Sequence, residues 1–203
     1  MRIENLTASS TCYTCCVYLV RGDWNAIEDV NTLIDVGRDP SVIPMIESQD
    51  TGVGKKRVAQ VILTHCHYDH TSLLPEIRAA FKPIVCAYPT FREADRYLKD
   101  GEFVKIADRT FEIIYTPGHS HDSICLYCEQ DGVLFSGDVN LNIQTTGGTF
   151  QDDYVQALEK LSTKKIKTIY PGHGSPIVGN GDEVIRRTLM NAKRARAWHA
   201  GRN

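Results

Sequence analysis

Three of the chain's seven histidines fall within six positions, in the run THCHYDH at 64–70. The run follows the apolar stretch VAQVIL at 58–63. A strand ending at Leu63 must leave its sheet, and a turn there can point His65, His67, Asp69 and His70 into one small volume. Four such side chains converging without a partner would be costly to desolvate. A metal ion supplies that partner. Imidazole with carboxylate suits Zn²⁺, Fe²⁺ or Mn²⁺.

Three more segments have the same form, an apolar run and then a turn carrying a ligand-type residue. YTPGHSHDS places His119, FSGDVN places Asp138, and YPGHGSP places His173. Glycine directly precedes each of them, which permits a sharp turn and close backbone approach. The four segments supply five histidines and two aspartates, leaving only His121 and His199 outside the set. Any one segment alone would read as an ordinary loop. Their joint occurrence, each at the end of an apolar run, points to a metal centre.

The elements that must position these residues alternate. Strands are expected at 17–20, 32–34, 58–63, 83–87, 103–106, 110–115, 123–127, 133–135 and 167–170. Asp131-Gly132 marks a tight hairpin between two of them. Helices are expected at 40–49, 73–81, 90–98, 151–161 and from 182 to about 200. Alternation argues for a layered α/β domain, and the hairpins argue against a purely parallel sheet. The 203 residues suit one domain. GVGK at 52–55 lacks the spacing of a phosphate-binding loop and reads as a plain loop.

The set THCHYDH, TPGHSHDS, FSGD and YPGHG resembles the metallo-β-lactamase superfamily, over most of the chain from about Cys15 to Ile177. The resemblance implies a four-layer αββα sandwich of two similar halves, with the metal site at the edge between the sheets. By position, His65, His67 and His119 would hold a first metal. Asp69, His70 and His173 would hold a second, and Asp138 would bridge the two. The pair is expected to be zinc, with iron or manganese as alternatives.

Two close metal ions lower the pKa of a shared water from ~16 to near neutrality, making a hydroxide nucleophile. Asp69 and Asp138 are the expected catalytic carboxylates, Asp69 orienting the nucleophile. The resemblance is closest to the glyoxalase II, lactonase and nuclease branches. It implies hydrolysis of a small thioester, ester or lactone. An RNA-cleaving enzyme of the same superfamily is the alternative, because the last helix carries Arg186, Arg187, Lys193, Arg194 and Arg196. A mononuclear iron persulfide dioxygenase is disfavoured, since VNLNIQTTGG stands where a GCGR-like run is expected. His121 and Asp122 are expected either to support the ligands or to cap the next strand. Thr145, Thr146 and the glycines at 147–148 are expected to border the substrate.

Composition limits the rest. A net charge of −2 gives no bulk attraction to nucleic acid or anionic membrane. No apolar stretch approaches the ~20 residues of a membrane span. The first residues lack the shape of a signal peptide, so the cytoplasm is the expected compartment. Seven cysteines are an odd number. The two CxxC pairs, Cys12/Cys15 and Cys125/Cys128, read as thiols in strands rather than a metal knuckle.

Overall fold

The computed structural model describes residues 1–144 and 150–200, with side chains described through 195. Thr145, Thr146, Gly147 and Gly148 lie outside the described residues.

Two six-stranded mixed sheets dominate. The first holds, in spatial order, β1 (Arg2–Asn5), β2 (Tyr18–Arg21), β3 (Thr32–Ile34), β4 (Gln60–Ile62), β5 (Ile84–Ala87) and β6 (Arg96–Tyr97). β1 to β3 run antiparallel, and β3 to β6 run parallel. The second sheet holds β7 (Phe103–Ile106), β8 (Arg109–Tyr115), β9 (Ile124–Cys128), β10 (Val133–Gly137), β11 (Thr168–Pro171) and β12 (Ile177–Val178). Here only β10 and β11 pair in parallel. The helices are α1 (Val42–Ser48), α2 (Tyr68–Thr71), α3 (Leu74–Phe81), α4 (Asp152–Ser162) and α5 (Gly181–Ala200).

Side-chain alternation sorts the apolar residues into three cores. Leu19, Leu33 and Val61 pack with Val42 and Ile46 of α1 and Leu74 and Ile77 of α3. Val20, Ile34 and Ile62, on the other face of the same strands, meet Phe111, Ile113, Leu126 and Phe135 of the second sheet. Ile114, Cys125 and Leu134 turn outward to Val155, Leu158 and Leu161 of α4 and Ile185 of α5. Three cores between four layers make the αββα sandwich. Because both faces of each sheet are covered, the inner strands are apolar throughout and their alternation is masked in the sequence.

The same alternation decides the cysteines. Cys125 and Cys128 lie three apart on β9, so one faces the α4 core and the other the inter-sheet core. They cannot form a knuckle. Cys12 is exposed and Cys15 buried. Both precede β2, so this pair is not in a strand as expected.

The expected helix over 90–98 does not form. Its end is β6, paired with β5. Val85 N donates to Asp95 Oδ2 at 2.8 Å, Asp95 N donates to Val85 O at 2.8 Å, and Arg78 reaches the same carboxylate at 3.0 Å. Phe91, Ala94 and Leu98 have helical spacing but fill the two cores at the sheet edge. Edge pairing overrides local propensity here. The helix expected over 40–49 is shorter, starting at Val42, with Asp39 Oδ1 accepting from Ser41 N at 2.9 Å in the entering turn. The short elements β1, β12 and α2 carried no readable sequence pattern.

Candidate metal centre

All the expected ligand residues sit at strand ends on one rim of the sandwich. β4 ends at Ile62, and the chain then turns through Thr64 into α2. His65 and His67, two residues apart, fall on the same side, with ring centroids 4.6 Å apart. α2 follows at once and buries Asp69 and His70. The second sheet delivers His119 after β8, Asp138 at the end of β10 and His173 at the end of β11. Gly137 makes the β10 turn at φ +50°, and a side chain there would meet Thr64 Oγ1 at 2.6 Å. Only glycine lets the two sheets close at this point.

The donors form two groups. His65, His67 and His119 offer ring nitrogens within 4.8 Å of one another, and Asp69, His70, Asp138 and His173 offer carboxylate oxygens and ring nitrogens equally close. The three rings of the first group stand edge to face, with centroids 4.6 to 4.9 Å apart. His119 Nε2 lies 2.9 Å from His67 Nδ1. Asp138 joins the groups. Its Oδ2 lies 3.5 Å from His119 Nε2, 3.4 Å from His173 Nε2 and 4.0 Å from His65 Nε2. Its Oδ1 lies 3.2 Å from His70 Nε2. Asp69 Oδ2 is 3.1 Å from His173 Nε2.

The residues fit a metal. His65 Nε2, His70 Nε2 and Asp138 Oδ1 are buried and make no hydrogen bond. Among the described residues, His65 Nε2 has no hydrogen-bond partner and the other two meet only each other, at 3.2 Å, so a cation among them would satisfy all three. Burial pushes the His65 imidazole down to about 4, so it is a neutral donor at neutral pH. Burial lowers His119 as well. Burial would raise Asp138, but contact with His70 and the nearby imidazoles hold it at about 2, so it is a carboxylate.

Asp35 is the residue that sequence reading missed. Its carboxylate accepts from Thr64 N at 2.7 Å and Thr64 Oγ1 at 2.8 Å, and pairs with His70 Nδ1 at 2.8 Å. That bond turns His70 Nε2 toward the centre. Burial would lower the His70 pKa, but the Asp35 charge, with Asp138 behind it, raises it well above the usual range. Asp35 follows β3 and precedes Val36-Gly37, a strand-end carboxylate like the others. It stands at φ +57°, which the tight turn imposes. Cys15 completes a buried cluster with Asp35 and His70. Burial pushes its thiol up to about 12, so it stays protonated.

His121 and Asp122 do not join either donor group. Tyr115 Oη donates to the His121 carbonyl at 2.8 Å. Asp122 accepts from Ser120 Oγ at 2.6 Å and lies beside the Cys66 thiol, so it braces both turns. Above the centre, Tyr13 stacks on His173 at 5.6 Å, and Arg38 covers the Tyr68 ring at 5.0 Å.

The family description "metallo-beta-lactamase superfamily" matches residues 11–97 and 87–173. The chain belongs to the metallo-β-lactamase superfamily. Its histidine and aspartate cluster is a divalent-metal site of that superfamily. Among similar proteins, an atrochrysone carboxyl ACP thioesterase of Aspergillus fumigatus is 27% identical over 80% of this chain and 52% of its own length. A β-lactamase-like protein 2 homolog of Caenorhabditis elegans is 30% identical over 79% of this chain and 59% of its own. The chain thus spans about half the length of the curated relatives it matches. The solved structure of ETHE1 from Myxococcus xanthus superposes with a TM-score of 0.69 at 21% identity, over 95% of this chain and 85% of that one. A superfamily protein from Sulfolobus tokodaii gives 0.66 at 19%, over 93% and 84%. Both likenesses show the fold. Among the described residues, no helix is long and apolar enough to cross a membrane.

Proposed function

We propose that the protein is a dinuclear metal-dependent hydrolase acting on a small thioester, with residues 1–203 forming a single superfamily domain. The observation that carries this reading is the position of Asp138, whose two oxygens face both donor groups. His65, His67 and His119 would hold one ion, and Asp69, His70 and His173 the other, with Asp138 between them. Bound there, two divalent ions, zinc before iron or manganese, would supply an acidified water and Lewis acidity for the carbonyl oxygen.

The remaining work falls to the chain. Asp35 holds His70 in one orientation. Asp138 keeps the two donor groups in register. Asp69 lies 3.1 Å from His173 in the same donor group, where its carboxylate would orient the attacking water and accept its proton. A thiol of ordinary pKa, about 8.5, leaves without a dedicated acid. The thioesterase among the relatives supports this substrate class. RNA cleavage is less well supported. On α5, Arg186 is paired with Asp182 at 2.9 Å, Lys193 with Glu159 at 2.6 Å, and Arg187 reaches Asn142 at 3.2 Å. Paired cations offer little to a phosphate track.

The test is metal content by elemental mass spectrometry, together with turnover of thioester, lactone and RNA substrates. About two ions per chain and thioester turnover are expected, both reduced in Asp138→Ala. Full turnover by that variant would sink the dinuclear mechanism. A single iron with oxygen uptake would replace it with a dioxygenase.

A further inference from the structure

We infer that the metal centre opens into an acyl pocket, and that the substrate is a thioester with an uncharged aliphatic acyl group. This deepens the thioester reading and rests on it. A cavity of about 440 Å³ has His119, Asp138 and His173 at one end. Val139, Leu141, Ile169 and Ile177 are among its lining residues, the first three largely buried in the core under α4 and α5. The polar groups between them, Ser136, Asn140, Asn142 and Ser175, carry no charge. The volume lies in the range of about 300–1,000 Å³ usual for small-molecule sites.

The walls are fixed by the fold. Val139 and Leu141 follow Asp138 directly, so the chain that delivers the carboxylate also builds the wall. Thr188 on α5 holds that segment, donating to Leu141 O at 2.7 Å and accepting from Ile143 N at 3.1 Å. Asn191 donates to Ile143 O at 2.8 Å. Ile169 and Ile177 are register partners on β11 and β12.

The chemistry selects the occupant. Water adds to the thioester carbonyl carbon, the C–S bond breaks, and a carboxylate and a thiol result; no oxidant or reductant takes part. The carbonyl carbon must come within about 3–3.5 Å of the attacking water at the donor groups. The first carbons of the acyl chain then lie at the cavity mouth. Charged groups would lose hydration among these neutral lining residues. Methylenes gain from leaving water, and each one buried raises kcat/KM about fourfold.

The test is a series of acyl thioesters of one common thiol, acetyl to octanoyl, with the zinc-loaded protein and Ser175→Trp. Ser175 is exposed at the cavity rim, so the change narrows the pocket without entering the core. Expected is a kcat/KM that rises about fourfold per methylene until the pocket is full, with the octanoyl-to-acetyl ratio falling at least tenfold in the variant. A flat series, or an unchanged ratio, would overturn the pocket. A second readout needs no turnover: isoleucine methyl NMR of the zinc-loaded protein with acetate or hexanoate. Hexanoate, not acetate, should shift Ile169 and Ile177. If no thioester is hydrolysed but hexanoate still shifts these methyls, the pocket stands and the thioesterase reading falls. Hexanoate shifts confined to other isoleucines would overturn the pocket alone.

Discussion

Gly172 stands against Asp138 with no space for a side chain between them. A β-carbon on Gly172 would lie 2.1 Å from Asp138 Oδ1 and 2.8 Å from His70 Cε1. The glycine before His173 therefore serves the two ligands facing it. Gly172→Ala should displace the Asp138 carboxylate, cut metal affinity at least tenfold and destabilise the fold by about 1–3 kcal/mol. Competitive chelator titration and denaturant unfolding check both figures. Wild-type metal affinity would refute the close approach.

The bond from His70 to Asp35 gives a second expectation. Asp35→Asn keeps the shape but loses the charge, and it sets an amide against the two donors of Thr64. Metal affinity should fall about 10- to 100-fold. Zinc titration against a chromophoric chelator measures it. A change of less than twofold would mean that His70 needs no orienting partner.

Stability of the chelator-treated protein should pass through a maximum near pH 6.5. The His65 pKa is about 4 in the folded state against about 6.5 unfolded. The unfolded chain therefore binds the extra proton between those values, and stability falls as pH drops through that window. His70 is raised instead. Its contribution is full below about 6.5 and declines as pH climbs above it. Urea unfolding at pH 4.5, 6.5 and 8.5 tests this. Stability rising steadily across all three values would contradict it.

Tyr13 offers a fourth measurement. It stacks on His173 with its ring 63% exposed, held by a loop whose Cys15 and Cys16 amides donate to Asp69 O and Gly172 O. Tyr13→Ala should speed metal release to a chelator several-fold, while Tyr13→Phe, which keeps the stack, should not. Equal rates in both variants would show that the stack does not retain the ion.

The seven proposed ligand positions stand out in the sequence because each segment sets ligand-type residues abruptly after an apolar run. His119, Asp138 and His173 also carry the preceding glycine. Asp35 has the strand but neither the glycine nor a neighbouring histidine, so nothing local marks it out. Its role depends on His70, 35 residues away, and no local pattern records that pairing. The strands facing two cores were legible as apolar runs. The segment 90–98 was misread because its apolar spacing fits a helix, while its fate was set by the open edge of β5. β1 and β12 are short, and of their residues only Ile3 and Ile177 pack against a core, which leaves little mark on composition.

The division of ligands between the sheets has a consequence in time. The first donor group takes two histidines from the β4 turn and one from the β8 turn; the second takes Asp69 and His70 from α2, which follows β4, and Asp138 and His173 from the strand ends of the second sheet. Neither half of the chain holds either donor group in full. During refolding, tight capture of an ion must wait until the two sheets have met. A coloured ion such as cobalt, added at trace level, would then serve as a clock for their docking.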